Sequence, residues 1–420
     1  MIDLTQLKEK EQQIREAIAK KHVDLDFDKF LAVHSEQEKL KEQVDRLRQV
    51  RNELTETIAR ANVEDKANLI ARSKENNIHL QGMEAQLIEL QKQWQELAAR
   101  LPGLPHPNAP VGRDEHDNIE RYKWGNPRTL EETPRDHLEL ANLHQMVDFD
   151  QARELAGSRA YALTGWGALL EMAAMRFAFD HILAKGYTPV APPVMVRENA
   201  MYGTGYFPVG QENAYELTKD KLFLTGTAEV GMVALQAGKT FDIESLPKRF
   251  VGMSTCFRRE AGAAGRDTRG LYRMHQFQKV EQVVICPADE KFAQEEHDQL
   301  LANAEEILQA LELPYRVVEC CTGELGLGQY RKYDIETWMP SRKGYGETHS
   351  ASNLRDFQAR RLNIRHRDAA GQKHFAYTLN NTAIASPRIL IALIENHQQA
   401  DGKIYIPKAL RRYLGDTESI

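Results

Sequence analysis

The chain has 420 residues, 42% of them apolar and 28% charged, with a net charge of −6. That length allows two or three domains with a full core, and the sequence offers neither a signal-like N-terminal apolar stretch nor a membrane-length apolar run. The acidic average excludes a uniformly basic nucleic-acid binder, but phosphate binding needs only a local basic patch.

The first hundred or so residues are rich in Glu, Gln, Lys, Arg and Leu and almost free of Gly and Pro. Phe30, Val33, Leu40, Val44, Leu47, Leu54 and Ile58 recur at alternating steps of three and four, with Gln37 and Arg51 filling the gaps. This heptad stripe predicts a long helix. Polar residues over 62–66 break it. A weaker seam comes next at Ile70, Asn77, Leu80, Leu87, Trp94 and Leu101. Two such helices fold back as an antiparallel hairpin, each of roughly 35 residues and about 50 Å long. A thin apolar seam on so long a pair predicts an arm projecting from a body. Arg51, Arg60, Lys66, Arg72 and Lys74 gather toward its tip half, where they can meet phosphates. On the heptads alone, a dimerisation or spacer coiled coil is the favoured reading.

Prolines in 101–112 end the helix and stiffen the chain beyond it. We therefore expect an arm and linker over 1–110 and a second domain over 111–420. The second domain mixes helical and strand patterns with hairpin signals, and has no GxGxxG or P-loop sequence. An antiparallel sheet flanked by helices fits best. Residues 166–185 read as a long apolar helix. The proline-bearing 186–196 reads as an edge or interface strand. Thr227-Ala228-Glu229 sets a hydroxyl beside a carboxylate, a pair able to hold an ammonium group or a hydroxyl. Four cysteines without CxxC spacing read as reduced and structural, in a cytoplasmic protein.

The segment 257–281 begins and ends in strand-like sequence around a loop of Gly, Ala and Arg. Arg258 and Arg273 stand at the two strand–loop junctions, with Phe277 and Glu281 on the returning strand. Planar, permanently charged arginine forks suit a phosphate and a carboxylate at once, and the Phe277 ring offers a face to a base. One hairpin can thus hold a nucleoside triphosphate beside a small zwitterion. Farther on stand Glu347-Thr348-His349-Ser350-Ala351-Ser352-Asn353, then Thr382 and Ser386-Pro387-Arg388 before an apolar run. Ser386 suits an N-cap and Pro387 a first helical position, which puts Arg388 at a helix start.

The 257–281 segment resembles the second signature motif of class II aminoacyl-tRNA synthetases, and in detail that of the seryl-tRNA synthetases. The helix and strand around Pro193 resemble the first motif, and 378–388 the third. The resemblance extends from Met1-Ile2-Asp3-Leu4 to the C-terminal 404–411. It implies an α+β fold with a class II antiparallel sheet and a two-helix coiled-coil arm. Arg258 would bridge the ATP α-phosphate and the serine carboxylate. Arg259 and Glu260 would lie on ATP, Glu260 accepting from the adenine amino group. Arg273 and Arg388 would hold phosphates, and Phe277 would stack on adenine. Glu347, Thr348, His349 and Ser350 would line the ATP site, with Glu347 and Ser350 giving oxygens to Mg²⁺. Thr227, Ala228, Glu229, Glu281 and Thr382 would join Arg258 around serine. Many family members have Gly where this chain has Asn381 and Pro387, and often Cys where it has Ala351. No Cys- and His-rich cluster supports a zinc-dependent serine pocket.

The implied activity is activation of L-serine with ATP and transfer to serine tRNA, with selenocysteine tRNA left open as a second acceptor, by a cytoplasmic homodimer whose arm grips the tRNA. Two alternatives stay open: a paralogue acting on a carrier protein or serving as a resistance duplicate, and a non-catalytic RNA-binding regulator.

Overall fold

The computed structural model of the chain describes residues 6–128, 134–261 and 270–420. Residues 1–4, invoked for the N-terminal resemblance, and 262–269, in the middle of the hairpin loop, lie outside the described residues.

A short helix that the sequence reading missed, α1 (Glu11–Lys20), comes first. Its Ile14 and Ile18 pack with Phe27, Phe30, Ala98 and Leu101 at the foot of the arm. The arm is α2 (Phe27–Arg60) and α3 (Val63–Ala98). The break between them is shorter than the polar stretch suggests. The Asn62 side chain accepts from the Asp65 N–H, and Glu64 and Asp65 sit where the helix dipole favours negative charge. The polar residues start the second helix rather than interrupting it.

Most of the expected seam is inside. Phe30, Val33, Val44, Leu54, Leu80 and Leu87 are buried, and Leu40, Leu47 and Met83 close around Val44, Leu80 and Leu87. Ile70 is the exception, facing solvent while its neighbour Leu69 is half-buried. Asn76 donates to the Leu47 carbonyl at 3.2 Å. That polar bond fixes the helix phase, so Leu69, Ser73, Asn76 and Leu80 face the partner. Arg48 clasps Glu84 at 2.8 Å, and the Trp94 indole donates to His34 at 3.0 Å. Leu80→Ala opens a cavity in a two-helix core with no third layer to refill it. It should cost the arm about 2–3 kcal/mol, appearing as an earlier helical transition in thermal circular dichroism while the body's transition stays put.

The body is built on an eight-stranded sheet. In chain order its strands are β1 (Ile119–Trp124), β2 (Thr188–Val190), β3 (Lys248–Phe257), β4 (Gln276–Cys286), β5 (Tyr315–Glu319), β6 (Arg331–Met339), β7 (Gly344–Asn353) and β8 (Tyr377–Ala385). Their order across the sheet is β1-β5-β6-β7-β8-β4-β3-β2. Every pairing is antiparallel except β2 on β3. The proline-bearing strand lies at the edge, as its missing donor requires. Helices α4 (Gly165–Ala184) and α6 (Glu290–Ala310) cover one face and share its main apolar cluster. Helix α5 (Ala228–Ala234) covers part of the other, against Val283 and Ile285. Helix α7 (Arg388–Asn396) comes after β8. The four cysteines, Cys256, Cys286, Cys320 and Cys321, are free and buried in the body. No helix among the described residues is long and apolar enough to cross a membrane.

Candidate active site

Strands β3 and β4 form the expected hairpin, Phe257 opposite Gln276. One step beyond that pair the Arg258 N–H bonds the His275 carbonyl at 2.9 Å. Arg258 and Arg273 therefore flank the loop from both strand ends. Along β4, alternation puts Phe277, Lys279 and Glu281 on the α5 face, above the apolar Val283 and Ile285. The other face carries Gln282, which donates to Leu300 of α6.

Two adjoining cavities open on this hairpin, of about 520 Å³ and 90 Å³. Arg258, Glu260, Arg273, Glu347 and Arg388 line both. Tyr206, Asn213 and Gly226 belong to the larger, and Phe277, Lys279, Thr348, Ser350 and Thr382 to the smaller. The Arg258 guanidinium lies 5.2 Å from the Phe277 ring centre and donates to the Gly226 carbonyl at 3.3 Å. Arg273 bonds Glu260 at 3.0 Å. Arg388 donates to the Tyr272 carbonyl at 3.0 Å, and to the Glu347 carbonyl and carboxylate at 2.9 and 3.3 Å. Enclosure by the cleft pushes the half-exposed Glu347 carboxyl up, but Arg388, Lys332 and Arg258 outweigh this and hold it below the usual range.

The candidate serine residues sit deeper. Thr227, the N-cap of α5, donates to Glu281 at 2.7 Å. The Lys279 ammonium pairs with Glu281 and lies 3.3 Å from the Thr227 hydroxyl. The second Glu281 oxygen, Oε1, is buried without a partner, an orphan acceptor of the kind that marks a ligand contact. Thr382 stands opposite Glu281 in the β4–β8 ladder. Glu229 accepts from Tyr206 at 3.1 Å and from Gln358 at 2.7 Å. Burial, then the nearby Glu281, push its pKa up to about 7 against the pull of Gln358, Lys279 and Tyr206.

Besides the deeper Thr227, Glu229 and Glu281, three of the named residues, Ala228, Arg259 and His349, do not line either cavity. The Ala228 side chain packs into the apolar cluster under the sheet. Arg259 is exposed, and its N–H is held by the Asn213 carbonyl. His349 is buried, with Thr348 and the Ala383 carbonyl on its two ring nitrogens at 2.8 and 3.1 Å. Burial lowers its pKa to about 4, so it is a neutral spacer between β7 and β8. Asn381 also faces away, donating to Leu300 at 2.6 Å, which removes its difference from the family pattern from the cleft. Helix α7 starts at Arg388 with Pro387 as its cap residue, not its first helical residue. The Ser386 hydroxyl is spent on Glu171 instead of capping.

The sequence reading missed Lys279, Tyr206 and Gln358. Lys279 was findable, since it falls two residues from both Phe277 and Glu281 on one strand face. Nothing local marks the other two, which reach Glu229 from separate elements.

Family models match in two stretches. One described as the seryl-tRNA synthetase N-terminal domain matches residues 1–105, and one described as the class II tRNA synthetase core domain (G, H, P, S and T) matches 213–397. The serine–tRNA ligase of Deinococcus radiodurans is 46% identical over 418 residues, covering 100% of this chain and 98% of its own. Among solved structures, the seryl-tRNA synthetase of Pyrococcus horikoshii complexed with ATP superposes with a TM-score of 0.90 at 38% identity, over 100% of this chain and 99% of its own. The cytoplasmic serine–tRNA ligase of Naegleria fowleri with AMP gives 0.83 at 28% identity, over 97% and 95%.

Proposed function

The chain belongs to the seryl-tRNA synthetase family, and on that premise we propose that the hairpin cleft is its active site. It is an ATP-dependent serine–tRNA ligase. The observation that carries the site reading is the shared wall of the two cavities, where Arg258, Glu260, Arg273, Glu347 and Arg388 converge. Beside that wall lies the orphan oxygen of Glu281, the residue that pairs with Thr382 in the β4–β8 ladder.

In the proposed first step a serine carboxylate oxygen attacks the α-phosphorus of ATP, and the bond to pyrophosphate breaks. Arg258 holds the carboxylate and the α-phosphate together and offsets the charge that builds between them. Arg273 and Arg388 take the outgoing phosphates, Arg273 releasing Glu260 to the adenine amino group. Phe277 stacks on the base. Glu281 and Thr382 receive the serine hydroxyl, and a site built to bond that hydroxyl rejects alanine strongly. Thr227 and Glu229 complete the pocket, Glu229 facing the ammonium group. In the second step a hydroxyl of the tRNA's terminal ribose attacks the seryl carbonyl and AMP leaves. Glu347 and Ser350 fit a hard cation that keeps water and phosphate oxygens for its other ligands. When bound, Mg²⁺ would neutralise phosphate charge there.

We assign tRNA binding to the arm, whose tip-half cations Arg51, Arg60, Lys66, Arg72 and Lys74 are all exposed, and divide the chain near residue 110. We also infer a homodimer through α4, which leaves Leu169 and Met172 exposed at 46% and 67%. A cytoplasmic setting suits four unbridged thiols.

The direct test is ATP–pyrophosphate exchange across the twenty amino acids without tRNA. Serine alone should sustain it; exchange with another amino acid would reassign the pocket around Thr382. A pH series adds a second expectation. Glu229 must be ionised to hold an ammonium group, and its pKa of about 7 in the free pocket lies well above a normal carboxyl. Serine KM should therefore rise as pH falls below about 7, approaching tenfold per unit, and Glu229→Gln should show a raised, pH-flat KM.

A further inference from the structure

Arg361 lies outside the cleft, on the short helix Phe357–Leu362. Its guanidinium donates to three backbone carbonyls from two distant parts of the chain. Nη2 bonds Ala99, the C-cap of α3, at 2.7 Å. Nη1 bonds Tyr202 at 2.8 Å and Phe207 at 3.2 Å. The group lies over two aromatic rings, 4.7 Å from the centre of Tyr202 and 4.2 Å from that of Phe357. No carboxylate among the described residues pairs with it. A charge buried without a counter-ion is costly, and its place is explained by geometry, since the two ends of the planar fork reach carbonyls from separate parts of the chain, Ala99 from Nη2 and Tyr202 and Phe207 from Nη1.

Those carbonyls tie the foot of the arm to the wall of the cleft. Tyr202 and Phe207 bracket Tyr206, whose hydroxyl bonds Glu229. Three residues before Arg361 on the same helix, Gln358 donates to Glu229 at 2.7 Å and to the Thr204 carbonyl at 3.0 Å. Both donors to Glu229 are thus set by the helix that also grips the end of α3. The packing leaves little slack, since a Cβ on Gly203 would fall 2.2 Å from Leu362. We propose that Arg361 is a positioning residue that locks the amino-acid pocket and the foot of the arm into one geometry. The proposal rests on the assignment of pocket and arm above.

The variant to make is Arg361→Lys, which keeps the charge but cannot span the three carbonyls, with Arg361→Gln as a second in case the first folds poorly. Each is measured as full-length enzyme by melting temperature, by pyrophosphate exchange with serine and ATP varied separately, and by tRNA charging. The expected result is a serine KM raised roughly tenfold with the ATP KM unchanged, since loss of such polar contacts is felt only where they act. The tRNA KM should rise in the same variants. Lys21 supplies the control. Its ammonium pins the foot of the arm to the Gly326, Leu327 and Gln329 carbonyls, at 3.2, 3.2 and 2.6 Å, without reaching the pocket helix. Lys21→Met should raise the tRNA KM alone. An unchanged serine KM in folded Arg361 variants overturns the proposal, as does an equal loss in every parameter. If the wild type exchanges with no amino acid, the assignment of the pocket fails instead.

Discussion

Arg258→Ala should lower serine-dependent pyrophosphate exchange by on the order of 10³-fold, while the protein stays folded and keeps its oligomeric size on gel filtration. The size of the loss comes from where the side chain stands. Arg258 lines both cavities, with one edge on the Gly226 carbonyl and its plane near the Phe277 ring. In-line phosphoryl displacement needs little covalent help from the protein, so catalysis is mostly positioning and charge stabilisation. Removing the fork proposed to be shared by carboxylate and α-phosphate would take away both. The folding cost should be small, because the side chain is only half-buried and pairs with a single carbonyl. Arg258→Lys restores charge without the fork and should recover only part of the rate. Near-normal exchange in a folded Arg258→Ala protein would take the residue out of its assigned role.

The second large effect concerns the arm. Deleting residues 38–90 and joining the shortened helices by a brief glycine turn should leave serine-dependent exchange within about twofold of wild type. Charging should fall by about 10² or more in kcat/KM for tRNA, since the proposed phosphate contacts of the arm would vanish together. The deletion spares the His34–Trp94 bond and the apolar foot formed by Ile14, Phe27, Phe30, Ala98 and Leu101. It should therefore not disturb the body. Charging that survives the deletion would leave the arm a spacer, the other meaning its heptads allow.

The fold was legible where pattern and local chemistry agreed. The arm's heptads, the helix before the edge strand and the hairpin of 257–281 each carry their signal within a single stretch of chain. The legible part of the site has the same origin, for Arg258, Arg273, Phe277 and Glu281 lie on one hairpin. What stayed hidden depends on contacts between distant segments. Whether Leu69 or Ile70 turns inward is settled by a bond from Asn76 to the opposite helix. Ser386 has the chemistry of a cap, but Glu171, far upstream, takes its hydroxyl. Tyr206, Gln358 and Arg361 gain meaning only when Glu229 and the end of α3 are brought beside them. Helix α1 escaped notice because its apolar face, Ile14 and Ile18, is about one turn long and makes sense only against the foot of the arm.

The placement of the thiols gives each half of the molecule its own reporter. All four are buried in the body and none lies in the arm. Burial also raises the pKa of Cys256 and Cys286, so the reactive thiolate is scarce while the fold is closed. A thiol reagent should therefore stay nearly silent on the native enzyme, and its slow labelling should track the opening of the body alone. Fraying of the arm would pass unseen by that reagent but would free the Trp94 indole from His34 and alter its fluorescence. With Trp124, Trp166 and Trp338 of the body replaced by Phe, labelling and fluorescence recorded on one sample would then separate two stabilities that a single melting curve merges.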